Sequence, residues 1–320
     1  MNKMKKIRLS GLVLFVFATV ISLQANHGAR ADKEKEKNKN RPNVLVIYTD
    51  DHRYTGVHAL GGMQVQTPNI DKLAAEGVAF TNAYLMGSFS GATCIPSRAM
   101  LLTGRNLFEL EGIGRNIPDD HLMIGEAFME AGYHAHHVGK WHQDHEDLAR
   151  SAHSGAKISG TPQYLVDQYR MPYSDWQEDG NYRTEYCYLL VYNEQGKVVR
   201  RPLTADDKRG PTGTEETGPH VSEVLADEAE GFIREYKKKK PFFMYLAFPC
   251  PHDPRQAPVK YQEMYPPEEI ELPPSYMPQH PFDNGHIVLR DELLAEWPRT
   301  EEIARQHLSD YYAIITHLDA

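Results

Sequence analysis

Cysteine is scarce in this chain: Cys94, Cys187 and Cys250 are the three among 320 residues. That count excludes a disulfide-stapled scaffold, which needs far denser cysteine in a much shorter chain. Positive charge is short as well. Lys and Arg number 35 against 44 Asp and Glu, a formal net charge of −9, whereas nucleic-acid binding calls for a basic footprint. A site for an anion must therefore be built locally, by a metal and a few cations, against the field of the whole molecule. Long apolar runs are missing too. The run Leu12–Ile21 falls well below the ~20 residues that span a bilayer. With Lys3, Lys5, Lys6 and Arg8 ahead of it and Ala25, Ala29 and Ala31 behind, it has the form of a secretory signal (residues 1–25) rather than a membrane anchor. No cysteine closes the run to take a lipid. Its removal takes away four positive charges and moves the net charge from −9 to −13. The expected location is secreted or periplasmic. No internal repeat is present.

What is there suits a globular α/β protein, at 41% hydrophobic and 25% charged residues. Residues 26–41 end in a mixed-charge stretch without a large apolar side chain, which reads as a solvated linker. Residues 42–320 are left as the domain. Asn43–Thr49 and Phe242–Phe248 are nearly continuous apolar runs of the kind buried in a parallel sheet. Tyr133–Val138 and Val78–Tyr84 are shorter strand candidates. Helix patterns lie between: Pro68 to a stop at Gly77, His121–Ala131 before Gly132, Val221–Tyr236, and Glu301–Ala320. Lys237–Lys240 complements the C-terminal dipole of the third helix, and Pro241 stops it. The alternation predicts an α/β fold with a doubly wound, mostly parallel sheet sandwiched by helices. Residues 150–215 read as an insert carrying a hairpin, Tyr186–Tyr192 and Lys197–Arg201 about Asn-Glu-Gln-Gly. Residues 265–281 read as an extended, proline-rich surface stretch.

In such sheets ligands collect beyond the carboxyl ends of the strands, and three strand ends carry reactive residues. The first ends at Asp50-Asp51. Adjacent carboxylates repel, so a buried strand end holding both calls for a cation, and hard oxygen ligands suit Ca²⁺ or Mg²⁺. An exposed acidic turn is the other reading. The second leads into Gly139-Lys140-Trp141-His142, with Lys140 and His142 on one face if the strand continues. A lysine there can hold an oxyanion and an imidazole can move a proton. His134, His136 and His137 invite a zinc site, but they alternate in direction and lack a carboxylate or thiolate at ligand spacing. The third strand runs into Pro251-His252-Asp253-Pro254. Cys94-Ile-Pro-Ser-Arg98 stands apart from these ends. Pro96 suits a first helical turn, so Cys94 lies just ahead of a helix N-terminus, and Arg98 adds a positive fork one turn on. By itself the pentapeptide also fits a buried structural cysteine.

Five pieces, Arg41 to Asp51, Thr67 to Ala74, Cys94 to Arg105, Gly139 to His142 and Pro251-His252, resemble in their order the type I, formylglycine-dependent sulfatases of the alkaline-phosphatase-like superfamily, over essentially all of 42–320. The resemblance implies that a formylglycine-generating enzyme oxidises Cys94 to an aldehyde whose hydrate is the nucleophile. It implies that Asp50, Asp51 and the modified Cys94 contact a divalent metal, usually Ca²⁺, with Mg²⁺ an alternative. Arg98 would orient the nucleophile, Lys140 bind sulfate, His142 assist at the diol and His252 protonate the leaving alcohol. The implied partner is a sulfated small molecule or polysaccharide. Hydrolysis of phosphate or phosphonate esters, or binding of sulfated glycans without cleavage, are the competing expectations. With Cys94 converted, Cys187 and Cys250 remain as a pair or as two buried thiols.

One part of the family pattern is missing. A second metal-binding pair, usually Asp-Asn, should follow a later apolar strand, with another lysine or histidine beyond. Asp283-Asn284-Gly285 is the nearest match, but it follows Pro281-Phe282 rather than a strand, and Asn-Gly reads as a turn. Glu301–Ala320 has the period of an amphipathic helix and stops without a cap. The resemblance thus makes the chain the N-terminal part of a longer enzyme, expected by itself to bind metal weakly and turn over poorly.

Overall fold

Six strands share one sheet among the described residues: β1 (Val44–Asp50), β2 (His134–Lys140), β3 (Ser154–Ser159), β4 (Tyr188–Tyr192), β5 (Val198–Pro202) and β6 (Phe242–Pro251). The helices are α1 (Pro68–Glu76), α2 (Cys94–Thr103), α3 (Ile124–Glu130), α4 (His145–Ser151), α5 (Val221–Glu235), α6 (Val259–Gln262) and α7 (Glu301–Asp319). The computed structural model describes residues 41–88, 93–110, 112, 115–159, 188–202, 219–253, 255–283, 295 and 297–320. The expected signal segment, most of the linker, Cys187, Asn284 and Gly285 lie outside them.

Strand order is β1-β6-β2-β3-β4-β5. The pairs β1–β6, β6–β2 and β2–β3 are parallel, and β3–β4 and β4–β5 are antiparallel. β6 is buried along its whole length because it lies between two strands under two helical layers. Phe242, Met244, Leu246 and Phe248 join the core beneath α5 and α7. Phe243, Tyr245 and Ala247 join the opposite core, with Leu102 of α2 and Leu148 of α4. A strand buried on both faces loses polar alternation, which is why its apolar run is continuous. The sheet is thus mostly parallel and flanked by helices on both faces, as anticipated.

Four local expectations need correction. β1 is an edge strand with β6 as its neighbour, so Leu45 and Ile47 stay 42% and 53% exposed rather than buried. Val78–Tyr84 forms no strand. Its residues are exposed, and no described strand lies beside them to accept a ladder. The helix expected from His121 starts at Ile124, because the Met123 N–H donates to Glu126 Oε2 at 2.8 Å and caps it there. Residues 150–215 are not a separate insert in their described parts: β3 and the β4–β5 hairpin extend the main sheet. Ser154-Gly-Ala-Lys-Ile-Ser159 lacks an apolar pattern, so this strand follows from pairing rather than from sequence period. Within the proline-rich 265–281, Tyr265 and Ile270 are buried and anchor that stretch to the core.

The last helix ties distant parts together. The Asp319 carboxylate accepts the N–H groups of Asn69 and Ile70 at 3.0 and 2.7 Å, capping α1. Gly139 is needed where it stands. Its φ is +90°, and a Cβ there would lie 2.1 Å from the Ala247 carbonyl oxygen of β6. No helix among the described residues is long and apolar enough to cross a membrane.

The histidines of β2 divide between the two faces. His136 stacks on Phe232 at 4.0 Å and bonds the Ser154 hydroxyl through Nδ1 at 2.8 Å, while His137 meets Trp141 edge-on. Burial pulls His136 down to about 4 and His137 to about 3. These folded values lie below the ordinary 6.5, so the unfolded chain binds protons that the folded chain excludes. Stability is therefore full above pH ~6.5 and is lost as pH falls toward ~3, by up to about 1.4 kcal/mol per pH unit for each such histidine. Urea midpoints measured from pH 7 to pH 4 should fall continuously. A midpoint that holds constant down to pH 4.5 contradicts this.

Candidate active site

Because β1, β6 and β2 are adjacent and parallel, their carboxyl ends open on one edge of the sheet. Asp50 pairs in register with Pro251, and β2 ends at Lys140. There the Lys140 ammonium donates to Asp50 Oδ2, and Arg98 Nη2 lies 3.5 Å from the same oxygen. Both cationic side chains are 0% exposed. Arg98 also donates through Nη1 to the Lys140 carbonyl at 2.9 Å and to Tyr245 Oη at 3.3 Å, and it lies over the Tyr48 ring at 5.0 Å. Burial pushes the Asp50 carboxyl upward, but Lys140 and Arg98 more than offset it, so Asp50 stands below the ordinary carboxylate value. Lys140 is pulled below the ordinary lysine value by burial, with Asp50 opposing. Two cations and one carboxylate leave a local positive excess inside an acidic protein.

The next residue reverses the chain. Asp51 has φ +60°, a left-handed value uncommon outside glycine but better tolerated by Asp than by most side chains. Tyr311 of α7 holds it there, donating its hydroxyl to the Asp51 carbonyl at 2.7 Å and accepting the Arg53 N–H at 2.9 Å. The Asp51 carboxylate is 48% exposed and lies 3.5 Å from His252 Nε2. Burial, with repulsion from Asp50 and Asp253, keeps it above the ordinary carboxylate value despite His252. His252 is fixed after β6, its Nδ1–H donating to the Asp253 carbonyl at 2.8 Å and its own N–H to the Pro249 carbonyl at 3.2 Å. Ligand atoms of Asp51, His252 and Asp253 all lie within 4.8 Å of one another.

Cys94 opens α2, one residue further into the helix than the sequence suggested. Ser97 Oγ bonds Tyr48 Oη at 2.8 Å and seats that helix end against β1. Cys94, Asp50, Asp51 and Ser97 line one open cleft of about 450 Å³. Burial pushes the Cys94 thiol up, with Lys140 and Arg98 opposing that rise and Asp50 and Asp51 adding to it. The unmodified side chain is therefore a protonated thiol at neutral pH, not a thiolate nucleophile.

β2 stops at Lys140, so Lys140 and His142 do not share a strand face as anticipated. Trp141 N–H donates to the Ser159 carbonyl at 2.8 Å, and His142 takes φ +66°. His142 Nε2 accepts from Arg115 Nη2 at 3.3 Å, which assigns the proton of the neutral ring to Nδ1. Burial, then Lys140 and Arg115, hold this imidazole far below its ordinary value. It is neutral at pH 7, with its Nε2 lone pair engaged by Arg115.

The fold thus gathers Asp50, Asp51, Cys94, Arg98, Lys140, His142 and His252 at one end of the sheet. Asp283 stands exposed on an irregular stretch. Asp253, Arg115 and Tyr311 were not anticipated. Asp253 had a signal in its adjacency to His252, whereas Arg115 and Tyr311 arrive only through the fold.

A family model described as Sulfatase matches residues 42–320. The chain is 28% identical over 236 residues to the N-acetylgalactosamine-6-sulfatase of Homo sapiens, covering 67% of this chain and 40% of that protein. It is 25% identical over 334 aligned residues to the arylsulfatase of Klebsiella aerogenes, covering 95% and 64%. The chain therefore spans only 40% to 64% of the length of these relatives. A phosphonate monoester hydrolase of Agrobacterium radiobacter shares the fold, with a TM-score of 0.56 at 19% identity over 87% of this chain and 57% of that one.

The buried ion cluster makes a quantitative prediction. Lys140→Met leaves Asp50 buried against one remaining cation and should cost about 3–5 kcal/mol in urea unfolding. The double variant with Asp50→Asn should recover a large part of that loss. Strictly additive losses in the cycle contradict the pairing.

Proposed function

The chain belongs to the sulfatase family, and from that premise we propose that it hydrolyses a sulfate ester, on a sulfated carbohydrate, with Cys94 as the formylglycine precursor of the nucleophile. The observation that carries this reading is the convergence on one cleft of Cys94, Asp50 and Asp51, backed by two wholly buried cations. The carbohydrate part is supported by the sugar named in one relative, an N-acetylgalactosamine-6-sulfatase.

Conversion of Cys94 would supply, as the hydrate, one hydroxyl to attack sulfur and a second whose deprotonation expels sulfate; an unmodified thiol offers no second step. Arg98 holds the start of α2 against Asp50 and so orients position 94. Lys140 lies behind the same position and supplies positive charge to the sulfate oxygens as the transition state spreads charge over them. His142 would assist at the diol once its Nε2 is released from Arg115. His252, fixed through its Nδ1–H, presents Nε2 beside Asp51 to pass a proton to the departing alcohol.

The donor set also fits a hard divalent cation. Asp51 and Asp253 converge, Asp50 lies one residue away, and a cation would relieve both the burial of the Asp51 charge and its repulsion by Asp50 and Asp253. Asp50, Asp51 and position 94 would hold Ca²⁺ or Mg²⁺, with Asp253 an added oxygen donor. Such an ion would stabilise charge developing on the ester. Three carboxylates among the described residues are few for calcium, so this set by itself would bind it weakly. A formylglycine-generating enzyme, and export by the N-terminal segment to the periplasm or medium, complete the proposal.

Two measurements test it. Mass spectrometry of the position-94 peptide from the native host should show the loss expected for thiol-to-aldehyde conversion. The converted full-length protein should then cleave aryl sulfates in preference to aryl phosphates and phosphonates, and Cys94→Ser should lower kcat by at least about 10³-fold. An intact thiol favours glycan binding without cleavage, and a preference for phosphonates moves the chain to the competing chemistry. For the metal, calcium on the order of millimolar should raise Tm, EDTA should reverse the rise, and Asp51→Asn should abolish it. No shift at any calcium concentration removes the assignment.

A further inference from the structure

Beside the Cys94 cleft lies a second cavity of about 280 Å³ that the chemistry above does not use. Asp51 and Arg53 line both spaces and form a common wall between them. Arg255, His307, Leu308 and Tyr311 complete the lining of the second. Arg255 leaves the carboxyl end of β6 just beyond His252, and its guanidinium lies 5.3 Å from the centre of the Tyr311 ring. That ring restricts the planar fork before any ligand arrives. The buried Nε of Arg255 has no hydrogen-bond partner among the described residues. A buried donor without a partner is costly, and a ligand acceptor would remove the cost. Asp310 and Asp253 also face this neighbourhood and temper its charge, while His307 is held below its ordinary value by burial and by Arg255.

We propose that this cavity is a subsite for a second oxyanion on the substrate, a carboxylate or a further sulfate on the same or the adjoining sugar, with Arg255 as the specificity-determining contact and Arg53 as its second cation. The proposal rests on the sulfate-ester reading for the identity of the first group. Arginine suits this role because its fork meets carboxylate or sulfate oxygens two at a time. Tyr311 gives the subsite its link to the reaction. The same side chain that carries Arg255 also fixes the Asp51 turn, so the two anions are read at a set separation.

The test titrates the Cys94→Ser protein by calorimetry, so that no probe is consumed. The probes are a hexosamine with one sulfate, the same sugar with two, and the one-sulfate sugar linked to a uronic acid. Arg255→Gln should weaken at least one of the two doubly charged probes by about tenfold or more, and the one-sulfate probe by less than about twofold. Arg255→Lys should recover part of the loss. Which dianion responds tells a carboxylate from a second sulfate. Equal losses on all three probes, no loss on any, or no binding of a dianion by the protein with Arg255 intact would overturn the proposal. Retained affinity for the one-sulfate probe shows that Arg255→Gln is folded; if it is not, Arg53→Gln is read by the same criteria. The two readings fail separately. Arg255-dependent binding with no ester cleaved by the converted enzyme sinks the sulfatase reading alone. Cleavage whose kcat/KM falls alike for singly and doubly charged esters in Arg255→Gln sinks the subsite alone.

Discussion

A carboxylate with two cations, sealed from water at the end of a parallel sheet, is the constraint on which the rest of this site depends. Asp50 ends β1, Lys140 ends β2 and Arg98 comes from α2, so their contact welds two strands and a helix at one point. Burying three charges is costly unless the geometry is good and the remaining donors are used. Arg98 meets this condition in part, through the Lys140 carbonyl, Tyr245 and the face of Tyr48. The arrangement is weak evidence for stability and stronger evidence for function. A well-packed apolar trio would hold the same three elements with less desolvation, but it would carry no field into the cleft.

Around that point the chemistry divides by environment. Asp50 is locked by its partners, whereas Asp51 projects half-exposed into the cleft with His252 beside it. His142 is surrounded by cations and kept neutral, while His252 faces a carboxylate. Neighbouring groups of one type thus acquire different duties from what lies beside them. Cys94 stands between the two sets, under the opposed influence of Lys140 and Arg98 on one side and Asp50 and Asp51 on the other.

The strand ends were legible in the sequence because a parallel sheet places them together once its order is set, and β6 announces itself as a strand buried on both faces. The path of the chain after β2 was not legible. Gly139 at φ +90° and His142 at φ +66° bend it away from a simple continuation, and neither angle is written in a residue period. β3 was invisible for a related reason: its pairing with β2 supplies what Ser-Gly-Ala-Lys-Ile-Ser lacks in pattern. Val78–Tyr84 shows the reverse, a β-prone run with no described partner strand. Arg115, Tyr311 and Arg255 carry no motif at all. Their places follow from tertiary packing.

The bond from Tyr311 to the Asp51 carbonyl joins residues 260 positions apart. Closing so long a loop costs little more entropy than closing one of half the length, but such non-local contacts slow folding. The Asp51 turn is therefore completed only by a contact far along the chain from β1. Without α7 the Asp51 turn lacks the Tyr311 bonds that hold it, and the floor beside the Cys94 helix end is incomplete. Assembly of this site therefore has an order: the Asp51 turn gains its Tyr311 contact only when α7 has docked.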